Sequence, residues 1–121
     1  MRGLILIVAD ASAERFRTAL VLAAAQAALG ARVRFFFQGD ALRSIVAPVA
    51  DPDGARQSAM GLPSLAQLVG EAIALGVSFA ACQSSLALLG LTPEDFDPGV
   101  EWGGMVGLLA AMDAEDRLIL V

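Results

Sequence analysis

Two hydrophobic patterns alternate along the chain. Gly3–Ala9 is an unbroken apolar run of Ile, Leu and Val, the mark of a strand covered on both faces. Ser12 then stands where an N-cap is wanted, before the alanine-rich stretch Ala13–Leu29. There Phe16, Leu20, Ala23, Ala24 and Ala27 recur at helical spacing, and Gly30 closes the segment. Ala31–Phe37 returns to aromatic and β-branched residues and predicts a second strand, ending at Gln38, Gly39 and Asp40. A short helix is expected from there through Val46.

The stretch Pro48–Pro63 carries turn signals, above all Asp51-Pro52-Asp53-Gly54, and reads as a long loop of the kind that serves as a lid or binding loop. Ser64 caps a helix to Leu75 with Leu65, Leu68, Val69, Ala72 and Ile73 as its apolar stripe, and Gly76 ends it. Val77–Ala81 predicts a third strand with Cys82 at its end, followed by a short helix over Gln83–Leu89. Thr92-Pro93-Glu94-Asp95 has the form of a helix start. A strand over Gly99–Trp102, a helix over Gly104–Met112 and a last strand over Arg117–Val121 complete the reading. The alternation predicts a single α/β domain over residues 1–121, a three-layer α/β/α sandwich around a mostly parallel five-stranded sheet.

Composition narrows the chemistry. Charged residues make up 17% of the 121 residues and the formal net charge is -5. There is no Lys, and the eight Arg are scattered, so the basic patch that nucleic-acid binding requires is missing. With no His, a Ser-His-Asp triad is impossible, and a zinc site would have only carboxylates and one thiol. The single Cys forms no internal disulfide, which suits a cytoplasmic location. The run Leu4–Ala9 is too short for a secretory signal core, and the uncharged stretch between Glu71 and Glu94 is too interrupted for a membrane span. Apolar residues reach 57%, a surplus for so small a domain, and a homo-oligomer interface is the expected destination for it.

In a parallel sheet the strand ends converge on one edge, where ligands bind. That places Asp10 and Ser12, Gln38, Cys82 with Gln83, Ser84 and Ser85, and Trp102 with Gly103 at a common rim as candidate binding residues. Cys82 is the one strong nucleophile among them and the candidate catalytic residue. Main-chain N–H groups after it would lower the thiol pKa. The alternative is that Cys82 is a small buried apolar residue. Trp102 is either a wall of the pocket or a packing residue. Gly103, Gly104 and Gly107 either cradle an anion or form a tight turn. Arg15 and Arg17 matter to the chemistry only if one turns toward Cys82. Cys82 and Ser85 spell a C-x-x-S redox pattern, but after the third strand rather than an early one. No cofactor is implied, since neither a G-x-G-x-x-G nor a P-loop motif occurs, and no metal site is expected.

The segment Cys82-Gln-Ser-Ser-Leu-Ala-Leu-Leu-Gly-Leu91, with Thr-Pro-Glu-Asp-Phe-Asp-Pro-Gly-Val-Glu101 after it, resembles the DsrE/DsrF-like family of sulfur-relay proteins. The N-terminal apolar strand and the strand end at Gln38-Gly39-Asp40 share the likeness. The resemblance implies an α/β sandwich assembling into trimers or hexamers. It also implies a cysteine, here Cys82, that carries sulfane sulfur as a persulfide between donor and acceptor proteins. In that reading Trp102 and the 48–63 loop limit water around the sulfur. The rival reading is a non-catalytic oligomeric module that binds a small anion or a partner protein, with Cys82 structural.

Overall fold

The computed structural model describes residues 1–121. Five strands, β1 (Leu4–Val8), β2 (Val33–Phe37), β3 (Ser78–Cys82), β4 (Glu101–Gly103) and β5 (Arg117–Leu120), form one sheet in the order β4-β3-β2-β1-β5. Every pairing is parallel. The strand β1 lies at the centre and all five of its residues are buried, which is why its sequence lacks the apolar/polar alternation of a half-exposed strand.

The helices α1 (Ala13–Ala28) and α3 (Leu65–Ala74) begin at the expected caps. The Ser12 hydroxyl accepts from the N–H of Arg15, and Ser64 forms a reciprocal capping box with Gln67. Gln83–Leu88 is α4 and Met105–Ala110 is α5, each six residues long. The expected helix before Val46 is a 3₁₀ segment over Gly39–Ile45, and the start at Thr92 yields only a 3₁₀ turn over Pro93–Asp95. That turn stops because Phe96 goes extended and bridges to Val46 instead of continuing the spiral.

Residues 48–63 depart from the loop reading. Gly54–Ala59 forms α2, none of whose residues is buried, so no apolar stripe marked it in the sequence. The segment is tied down along the helical layer. Arg17 of α1 donates to the Gln57 side chain (2.6 Å) and the Pro63 carbonyl (2.8 Å), and the Asp51 carboxylate accepts from the N–H of Leu65 (3.0 Å).

The two faces of the sheet are unequally covered. Leu4, Leu6, Val8, Val33, Phe35, Phe37, Phe79 and Ala81 point toward α1 and α3 and belong to a core of 22 buried residues. Phe35 stacks on Phe37 and Phe79 (ring centroids 5.5 and 5.0 Å), and Phe16 of α1 meets Phe37 edge-on at 5.7 Å. Such pairs add about 0.5–1.5 kcal/mol each beyond the area they bury. The opposite face has a cluster of four buried residues, Ile5, Ile7, Phe36 and Cys82, against which Met105, Leu108 and Met112 of α5 and its C-terminal turn pack. At the lower end the Asp116 carboxylate lies between Arg34 (3.4 Å) and Arg32 (3.9 Å). Gly3 is required there, because a Cβ would stand 2.2 Å from the Asp116 carboxylate.

Candidate functional site

Cys82 occupies the last position of β3 and the N-cap position of α4, so the chain turns from strand to helix at the sulfur-bearing residue. Only 7% of the residue is exposed. Burial acts first on the thiol and pushes its pKa up. The Ser85 hydroxyl, the main-chain N–H groups of Ser85 and Ser84, and the Gln38 side chain together outweigh it and hold the thiol below its usual range. Hydrogen bonds to the charged form thus prevail over desolvation.

Ser85 is the fixed point of this arrangement. It is 3% exposed and is the one buried polar residue of the chain. Its hydroxyl accepts from the N–H of Gly39 at 2.8 Å and donates toward Cys82. Gly39 takes a positive φ of 61°, which lets the chain turn sharply at the end of β2 while presenting that N–H. The β2 and β3 ends are therefore joined through one hydroxyl, with the sulfur beside it. Register places Gly103 directly across from Cys82 on β4.

The remaining candidates separate from the thiol. The Asp10 carboxylate is engaged by the Arg15 guanidinium and the N–H of Ser12, and the Ser12 hydroxyl is spent on capping α1. Neither Asp10 nor Ser12 is among the groups acting on Cys82. Arg15 and Arg17 are likewise engaged elsewhere, with Asp10 and with the 48–63 segment. Gln83 and Ser84 are exposed beside the sulfur-bearing position. Trp102 pairs in register with Ala81, so its side chain belongs to the large core, where it meets Phe96 edge-on at 4.9 Å. The Trp102 side chain thus packs on the face opposite the thiol, while the residue also contributes to the lining of the hollow beneath Cys82. The 48–63 segment also packs on that opposite side, against α1 and α3, and does not cover Cys82.

Below Cys82 on its own face, a hollow of about 210 Å³ runs between α5 and the strands, lined by Arg34, Ser78, Ala80, Glu101, Gly103 and Leu108 among others. Sequence reasoning had no means of finding it, because it exists only where α5 leaves part of the face bare. No group of three or more Cys, Asp or Glu side chains is placed to hold a metal ion. No helix is long and apolar enough to cross a membrane.

The same architecture recurs in solved structures. The chain superposes on the ychN protein of E. coli with a TM-score of 0.71 at 17% identity, each chain covered in full. It also superposes on the protein of unknown function MTH1491 of Methanobacterium thermoautotrophicum, with a TM-score of 0.75 at 15% identity and full coverage of both chains. For BT1422 of Bacteroides thetaiotaomicron the TM-score is 0.65 at 11% identity, over 98% of this chain and 95% of that one. No curated protein matches the chain by sequence. These likenesses concern the fold, whereas the sequence profile of one family runs from the first strand to the last: matching over residues 3–121, it makes the chain a member of the DsrE/DsrF-like family.

Proposed function

We propose that this protein is a small sulfur carrier that holds sulfane sulfur as a persulfide on Cys82 and passes it to a partner thiol. The observation that carries this reading is the thiol at the strand-end rim with its pKa drawn down by the Ser85 and Gln38 side chains and two main-chain N–H groups. Membership of the DsrE/DsrF-like family adds to it.

The chemistry needs no general base, consistent with a chain that has neither His nor Lys. The Cys82 thiolate attacks the outer sulfur of a donor persulfide. A new S–S bond forms, the donor's own S–S bond breaks, and the donor leaves as a thiolate. An acceptor thiolate then attacks the outer sulfur on Cys82, and Cys82 departs as the thiolate. No net oxidation occurs in either step. The donors that lower the thiol pKa also stabilise the departing thiolate, so one set of groups assists both half-reactions. The exposed Gln83 and Ser84 and the half-buried Gln38 form the polar side from which a partner approaches. In this reading the protein works in the cytoplasm as a homo-oligomer, a trimer or hexamer, between donor and acceptor proteins.

Incubation with a persulfide donor followed by intact-mass measurement tests the proposal. The expected result is a gain of about 32 Da, one sulfur atom, that is absent from Cys82→Ser. No such species in the wild type, or one that survives the substitution, overturns it.

One observation favours a second reading, a non-catalytic module. Cys82 is 93% buried and shares a cluster with Ile5, Ile7 and Phe36. Alkylation of the native protein separates the two. Fast modification at neutral pH supports the carrier, and a thiol that reacts only in denaturant supports the module.

A further inference from the structure

The two edges of the sheet are built differently. β4 is three residues long and carries Glu101 and Gly103, features that blunt an edge against pairing. β5 carries Leu118, Ile119 and Leu120, exposed by 45%, 40% and 73%, and Arg117 is the one charged side chain of the strand. Nothing in the fold covers it.

The hydrogen bonding of β5 is half used. The N–H of Arg117 donates to the Gly3 carbonyl (2.9 Å) and that of Val121 to the Ile7 carbonyl (2.8 Å). By the alternation of a parallel ladder, Arg117, Ile119 and Val121 direct their main-chain groups at β1, whereas Leu118 and Leu120 direct theirs outward. The outward groups thus belong to two residues spaced i, i+2. That spacing is self-complementary in an antiparallel pair. Leu118 of one copy and Leu120 of another each donate and accept once, with Ile119 facing its counterpart on the twofold axis. Arg117 then lies opposite Val121 of the second copy, so no like charges meet at the seam although each chain carries a net -5.

The large-core side of the seam is also apolar. Arg117 donates to the Gln26 side chain (2.6 Å), which fixes the face of α1 that borders β5. Leu22 and Leu29 share that face with Gln26 and are exposed. Four residues of helix rise about 6 Å and two of strand about 6.6 Å, so Leu22 stands level with Ile119.

We propose that β5 pairs antiparallel with β5 of a second copy of this chain, making a continuous sheet across a twofold axis at Ile119, with Leu22 flanking the seam. The inference is independent of the chemistry at Cys82. Any closed assembly built with this contact contains a twofold axis.

Two experiments test it. Sedimentation equilibrium of the wild type and of Ile119→Lys, with far-UV circular dichroism as the check on folding, reads the seam directly. The substitution sets two charges against each other on the axis and halves the mass of the assembly. Disulfide trapping in a Cys82→Ser background reads the register. Ile119→Cys cross-links readily, because facing residues of this kind have Cα atoms about 4.5 Å apart, within disulfide reach. Leu118→Cys does not, since its copies lie diagonally, about 7–8 Å apart. A monomeric wild type, an assembly whose mass Ile119→Lys leaves unchanged, or equal cross-linking at both positions overturns the proposal.

Discussion

The two faces of the sheet divide the work of the molecule. The face under α1 and α3 holds the interlocked Phe16, Phe35, Phe37 and Phe79 and nearly all the buried side chains, yet no group with obvious chemistry. The face under α5 holds four buried residues, one of which is Cys82. The contrast shows how a chain this small can keep a thiol close to its surface: cohesion is concentrated on one side, and the other is left with a single short helix. Because successive strand residues alternate between faces, Ala81 serves the first purpose and Cys82 the second from adjacent positions.

The largest effect is expected from breaking the heavy face. Phe37→Ala removes the ring at the centre of the aromatic group and lowers unfolding free energy by about 3–5 kcal/mol, read from urea melts. Ser85→Ala comes next. It leaves the Gly39 N–H without its acceptor and costs about 1 kcal/mol. The same change withdraws a hydroxyl from the sulfur, so the midpoint of the pH–alkylation profile moves upward and the rate at neutral pH falls. Phe37→Ala, by contrast, should leave that midpoint in place in whatever fraction remains folded.

Cys82→Ser abolishes sulfur loading at a cost of about 1 kcal/mol, since the hydroxyl is close to the thiol in size and keeps its Ser85, Gln38 and main-chain partners. Its pH dependence sharpens the comparison. The folded thiol titrates below an unfolded cysteine, whose pKa is about 8.5. The wild type therefore gains stability over Cys82→Ser as pH rises from the folded value to the unfolded one. That gain is fully present above the unfolded pKa and is lost as pH falls through the folded one. Paired urea melts from neutral to alkaline pH check the sign. The smallest effect belongs to Val106→Ser on the exposed side of α5, within about 0.5 kcal/mol of the wild type.

Much of this division was legible in the chain itself. Continuous apolar runs announced β1 and β2, the caps at Ser12 and Ser64 placed the two long helices, and the position of Cys82 after an apolar strand put the thiol at the rim. What escaped was of two kinds. The helix α2 has no buried residue, so periodicity left no trace of it, and residues 48–63 read as a loop free to cover the sulfur. Which face the Trp102 side chain occupies depends on the register of a three-residue strand against β3, a long-range fact that no local pattern encodes. The contact between Ser85 and Gly39 is of the same sort: two positions far apart in the sequence, joined only once β2 and β3 lie side by side.

The placement of Trp102 has a practical consequence. It is the sole indole of a chain with no Tyr, and it rests against Phe96 beside the strand that carries Cys82. Its fluorescence therefore reports whether the β3–β4 margin is intact without interference from other emitters. Since the ring sits across the sheet from the sulfur, that emission can monitor folding in the same cuvette while a thiol reagent or donor is being consumed.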